Sequence, residues 1–276
     1  MMRVFFKVSL SLLLFLYSDF HASAATPKRI VSTHLCADQL VMLLTKEQHV
    51  VSLSYFASNP NFSALSDKAK NFHRNYGLVE EILPLNPDIV FSGGFSARST
   101  VKLLKRAGIN VLELPIANDF EGIKKNLRVV ANAVGEKVAG ESIIKDLDQA
   151  LKMSSGVNKR KLTAALYWDN GYTPGSSSLA ARVTRHAGFL DLNSRHNSKV
   201  PKYFSVEELI SLQPDLLILP ENGPASLASI VPRHRSLKVM FKGDRSTTIP
   251  DRLWTCGSPF ITEAFNKLRR IRENME

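Results

Sequence analysis

The chain has 276 residues, 44% of them hydrophobic, which excludes a disordered polymer and suits one large domain or two small ones. Its net charge is +11, but the basic residues are scattered, with only Lys159–Lys161 and Arg269–Arg272 as short clusters. No nucleic-acid motif accompanies them, and a generally basic protein is a simpler reading than one that seeks anionic surfaces.

The N-terminus reads as a secretory signal peptide. Arg3 and Lys7 form a basic start, and Val8–Tyr17 is an apolar run too short to span a bilayer. Ala22 and Ala24 give an A-x-A pattern, with cleavage expected after Ala24 or Ala25. No Cys follows the run, which disfavours a lipid anchor, and no second segment is long enough to cross a membrane. The expectation is a soluble, exported, monomeric chain in an oxidising compartment that permits a disulfide.

Strands and helices then alternate. Arg29–Thr33 reads as a strand, residues 37–44 as a helix, Val50–Ser54 as a strand, residues 96–108 as a helix stopped by Gly108, and Asn110–Pro115 as a strand. This alternation predicts a parallel α/β layer. From Phe120 to about Met153 apolar residues recur every three or four positions without a strand candidate, so the segment is helical, with a break expected near Gly135. A second α/β run follows: a strand over 163–168, a helix over 179–189, an irregular stretch from Pro220 to Arg235, then LKVMFK and a last helix over 261–272. The expected division is a signal peptide over 1–25, an N-terminal α/β lobe over 26–118, a connecting helical segment over 119–155 and a C-terminal α/β lobe over 156–276.

The two halves share an internal repeat. YGLVEEILPLNPD, from Tyr76 to Asp88, matches YFSVEELISLQPD, from Tyr203 to Asp215, at seven of thirteen positions with a constant offset of 127. Each copy reads as a short helix, a Pro-Asp stop and a buried strand. That period is too long for a solenoid and implies two similar lobes.

In order and spacing, RIVSTHLCADQLVMLL, GLVEEILPLNPDIVFSGG, the long helical segment and LWTCGSPFITEAFNKL resemble the periplasmic substrate-binding proteins of ABC importers for metal chelates, the vitamin B12 and ferric siderophore group. The resemblance covers essentially the whole chain after residue 25. It implies two α/β lobes with parallel-type sheets joined by one long rigid helix, a ligand cleft between them, and little lobe movement on binding. It also implies that an acidic residue at the start of each repeated helix, here Glu80 and Glu207, docks onto arginines of a two-subunit transmembrane permease. From periodicity alone, Glu80, Glu81, Glu207 and Glu208 are ordinary first-turn residues, favoured there by the helix dipole. With the resemblance, Glu81 and Glu208 are expected to be solvated neighbours of the docking pair.

Open parallel sheets bind ligands beyond the carboxyl ends of their strands, so the cleft is expected to be lined by strand-end loops. These offer His34, Leu35, Cys36, Tyr55, Phe56 and Phe95 from the first lobe and Trp168, Tyr172, Arg252 and Trp254 from the second. Aromatic rings there suit a large, partly apolar ligand with a polar periphery, although they can equally cap the core. Arg98 and Arg252 could pair with ligand carboxylates or serve structural salt bridges. His34 could ligate a bare metal, but such a site needs three or four converging ligands. His186 lies inside a helix and His196 in a polar loop, so neither completes one, and no metal site or cofactor is expected. Cys36 and Cys256 both fall on cleft loops; a disulfide and two buried free thiols both stay open, with the balance on the thiols. G-x-S-x-G, H-E-x-x-H and P-loop motifs are lacking, so binding is preferred over catalysis. The pocket shows no cluster of Arg or His, which leans the ligand toward a neutral, bulky chelate such as cobalamin over a ferric siderophore, with haem or bare metal as alternatives.

Overall fold

Short runs rich in Ile, Val and Leu become the central strands of two parallel sheets, where both faces are buried. The computed structural model describes residues 26–94, 96, 98–152, 161–195, 199–221 and 227–275. The expected signal peptide, Phe95 and His196 lie outside the described residues.

The first lobe contains β1 (Ile30–Ser32), α1 (Leu35–Leu44), β2 (Val50–Ser54), α2 (Ser66–Ala69), β3 (His73–Asn75), α3 (Val79–Ile82), β4 (Ile89–Gly93), α4 (Arg98–Arg106) and β5 (Val111–Leu114). Its sheet has the order β3-β2-β1-β4-β5, all parallel. Two helices follow, α5 (Phe120–Val134) and α6 (Lys137–Lys152).

The second lobe contains β6 (Leu162–Leu166), β7 (Tyr172–Thr173), α7 (Leu179–His186), β8 (Phe189–Asp191), α8 (Leu192–Arg195), β9 (Lys202–Tyr203), α9 (Val206–Leu212), β10 (Leu216–Pro220), α10 (Arg235–Met240), β11 (Ser246–Ile249) and α11 (Ile261–Asn274). Its main sheet runs β11-β10-β6-β8, again parallel, and β7 pairs antiparallel with β9.

The internal repeat is structural as well as sequential. In each lobe the repeated strand pairs with that lobe's first strand, β4 with β1 and β10 with β6. The repeated aspartate staples the two. Asp88 Oδ2 accepts from the backbone N–H of Lys28 at 2.7 Å and of Arg29 at 2.9 Å, while Asp215 Oδ2 accepts from the N–H of Thr163 at 2.8 Å and its hydroxyl at 2.9 Å. Asn86 and Gln213, two residues ahead, both turn through the left-handed region, at φ 45° and 44°. Glu208 is exposed and Glu81 half-buried, and each carries a backbone hydrogen bond that the sequence reading did not include. Glu81 accepts from the N–H of Tyr76 at 2.7 Å, and Glu208 accepts from the N–H of Ser205 at 2.9 Å while Ser205 caps α9 in return. The second exchange is a capping box, which satisfies helix-end donors that would otherwise lack partners.

The helical connection between the lobes is a pair rather than a single rod. Gly135, at φ 78°, ends α5 in the left-handed conformation that costs a residue without Cβ least, and the N–H of Glu136 closes the turn onto Ala131 O at 2.8 Å. Helix α6 then runs back along α5, paired by Lys124–Asp148 at 2.9 Å and Arg128–Glu141 at 2.6 Å. Both reach the second lobe: Phe120 of α5 packs on His186 at 5.1 Å between rings, and His186 Nε2 lies 2.9 Å from Leu151 O of α6. Leu127, Val130, Ile144 and Leu147 of this pair belong to one continuous buried cluster with Ile30 and Phe91 of the first lobe and Leu166 and Ile218 of the second. A shared core of this kind resists lobe movement, since close-packed interiors deform little.

Candidate functional site

The carboxyl ends of both sheets open on the same cleft. On the first lobe, β1 leads into His34, whose Nδ1 accepts the N–H of Cys36 at 3.3 Å and so caps α1. Burial holds the His34 ring below the ordinary histidine range. One turn into α1, Asp38 is fully buried and accepts from the backbone N–H of Ser54 at 3.0 Å and from the Ser54 hydroxyl. This bond pins the end of β2, and with it the Tyr55–Phe56 turn, against α1. Burial pushes the Asp38 carboxyl up to about 7, opposed by hydrogen bonds from Ser32 and Ser54.

An aromatic ladder follows on this lobe. Tyr55 stacks on Tyr76 at 5.1 Å and lies 4.0 Å from Phe56, which meets Phe62 edge-on at 6.4 Å. Beneath it lies a cavity of about 380 Å³ whose walls include Thr33, His34, Leu35, Phe56, Phe62 and Tyr76.

The second lobe carries a matching ladder. Tyr167 is buried at the end of β6, and its hydroxyl donates to Phe204 O at 2.9 Å, holding the β6 end to the start of α9. Burial, then the charges of Glu207 and Glu208, push its phenol up to about 12. Trp168 stacks on Tyr172 at 5.8 Å, and Tyr172 meets Tyr203 at 5.5 Å through the β7–β9 pairing. These rings border a cavity of about 690 Å³, which also meets Asp169, Glu221 and Asp251 and is closed from the first lobe by Asn61 and Phe62. Burial raises the Asp251 carboxyl, the Trp254 indole opposes the rise, and the charges of Asp169 and Glu221 add to it.

Of the residues picked from sequence, His34, Leu35 and Phe56 meet at the smaller cavity, and Trp168 and Tyr172 at the larger. Others are placed elsewhere. Trp254 is 3% exposed and packs behind Trp168 at 6.1 Å instead of lining either cavity. Tyr55 stands at the rim on Tyr76, and Arg252 is committed to Glu221 in a salt bridge. Arg98 lies with Lys102, Lys105 and Arg106 on a separate groove along α4. Cys36 borders a small interlobe void of about 40 Å³ and is joined to Cys256 by a disulfide, which corrects the preference for free thiols. Glu80 and Glu207 are exposed in the first turns of α3 and α9. The Glu207 carboxyl is held below its usual range by its own backbone N–H and by Ser205. Sequence reasoning missed Phe62, Tyr76, Tyr203, Glu221 and Asp251. The two tyrosines open the internal repeat and were findable from it; Phe62 sits in a polar loop that carries no signal.

A family model described as periplasmic binding protein matches residues 30–219. A cobalamin-binding protein of Halobacterium salinarum is 22% identical over 198 residues, covering 70% of this chain and 53% of that protein. The chain thus spans about half the length of that relative. The periplasmic heme-binding protein RhuT of Roseiflexus sp. RS-1 superposes with a TM-score of 0.74 at 18% identity, covering 90% of this chain and 98% of RhuT. A protein of an ABC-type Fe3+-hydroxamate transport system from Saccharomonospora viridis superposes with a TM-score of 0.65 at 16% identity, covering 89% and 93%.

Proposed function

The chain belongs to the periplasmic binding protein family, and on that premise we propose that it is the exported substrate-binding component of an ABC importer for a metal chelate. The observation that carries this reading is the larger cavity, walled by stacked aromatic rings at strand ends of the second lobe and closed by Asn61 and Phe62 of the first. Concave, largely apolar sites between domains with a few polar groups are the usual form of small-molecule binding sites. Trp168, Tyr172 and Tyr203 on one side, and His34, Leu35, Phe56 and Phe62 on the other, are the proposed ligand contacts. The site binds and releases its ligand without converting it. Among the described residues no helix is long and apolar enough to cross a membrane. Glu80 and Glu207 are the proposed charges for that docking, one on each lobe.

Cobalamin is the preferred ligand class, because the larger cavity offers aromatic faces together with charges of both signs, Asp169, Glu221 and Asp251 beside Arg233 and Lys238, to a bulky ligand whose periphery carries amide donors and acceptors. Titration of the purified protein with cyanocobalamin, ferrichrome and hemin, followed by tryptophan emission and calorimetry, tests the reading. Saturable binding of cyanocobalamin at micromolar concentration or tighter is the expected result. Binding of ferrichrome or hemin alone would keep the transport role and change the ligand class, and binding of none would remove the chelate reading.

A further inference from the structure

The offset that relates the two helices also relates a tyrosine in front of each. Tyr76 stands four residues before Glu80, and Tyr203 four before Glu207. Both are 68% exposed, an unusual amount of ring to leave in water at the same place on both lobes. Each ring packs on a cleft aromatic of its own lobe, Tyr76 on Tyr55 at 5.1 Å and Tyr203 on Tyr172 at 5.5 Å. Each also forms part of its lobe's cavity wall. Both are fixed to the glutamate helix. Tyr76 donates its N–H to Glu81, while Tyr203 sits in β9 just before the Ser205–Glu208 capping box.

We propose that Tyr76 with Glu80 and Tyr203 with Glu207 are two copies of one docking anchor, in which the ring supplies the buried contact and the carboxylate the charge. Exposed tyrosines beside a charged group have the amphipathic character that dominates interface energies. Two equal patches fit a partner that presents two equal sites, each a cationic side chain next to an apolar recess, as a two-subunit permease would. The inference rests on the transport reading above. Because the same rings wall the cavities, a partner that grips them acts on the ligand site, and the coupling between docking and ligand occupancy is reciprocal.

The test compares Tyr76→Ala, Tyr203→Ala, the double variant, and Tyr→Phe at both positions, in the full chain in its native host. Uptake of labelled cyanocobalamin, ferrichrome and hemin is measured at concentrations that saturate every variant, with dissociation constants and melting temperatures taken on the purified proteins. The double Ala variant is expected to lose uptake at saturation by about ten-fold, each single variant less, and the Phe variant little. Glu80→Ala with Glu207→Ala serves as the reference for docking. Undiminished saturated uptake in the double Ala variant, with the Glu pair still inactive, overturns the tyrosine anchors and leaves glutamate docking standing. Undiminished uptake in both pairs overturns both, and so does a wild-type chain that supports uptake of none of the probes.

Discussion

Cys36, at the start of α1 in the first lobe, is joined by a disulfide to Cys256, ahead of α11 in the second, with their Cα atoms 5.1 Å apart across a sequence separation of 220. The bond ties the first lobe directly to the second. Its neighbour Gly257 is so close to the first lobe that a Cβ there would sit 2.4 Å from Ala117 Cβ. The disulfide, the shared core and the α5–α6 pair therefore act together against opening of the lobes.

Replacing both cysteines by Ser removes a cross-link over nearly the whole folded chain. Loop-closure entropy predicts a loss of about 3–5 kcal/mol and a fall in melting temperature on the order of 10 °C. Calorimetry of the wild-type protein with and without dithiothreitol should show the same shift, and the double Ser variant should be indifferent to the reductant.

Asp38 sets a pH dependence of stability. Its carboxyl is raised from 3.8 to about 7 in the folded protein. The associated stability is complete below about pH 4, falls as pH rises while the unfolded chain alone loses the proton, and is gone above about pH 7. Asp38→Asn keeps an acceptor for the Ser54 N–H without the buried charge. It should match the wild type near pH 4 and exceed it at pH 8 by roughly 4 kcal/mol, as read by urea unfolding at several pH values.

The two staple aspartates should differ in weight. Asp215→Ala strands the N–H and hydroxyl of buried Thr163, and a loss of roughly 1–3 kcal/mol is expected. Asp88→Ala frees the N–H groups of Lys28 and Arg29, which are exposed and can turn to water, so its loss should be about half as large. Denaturant midpoints of the two variants decide the order.

The two tryptophans should report differently. Trp168 touches the larger cavity, whereas Trp254 is buried behind it at 6.1 Å. Trp254→Phe is expected to retain a ligand-dependent emission change, and Trp168→Phe to lose most of it and weaken binding about ten-fold. An emission change that disappears only with Trp254 would move the ligand away from the Trp168 wall.

Local pattern in the sequence determined the main strands, the helix ends at Gly108 and Gly135, and the doubling of the lobe, because chain periodicity and turn chemistry act over a few residues. The same local logic pointed to the loops at strand ends, and so to His34, Phe56, Trp168 and Tyr172. It missed β3, β7, β8, β9 and β11, which have two to four residues each and too few side chains to show a period. It also placed no element on LKVMFK, where the chain forms α10. Tertiary structure alone decided which aromatics face the cavities. Trp168 and Trp254 sit on equally plausible loops, but packing turns one toward the cleft and the other into the core. It likewise decided that Cys36 meets Cys256 and that α6 folds back on α5, since contacts between residues far apart in sequence follow from how whole elements pack.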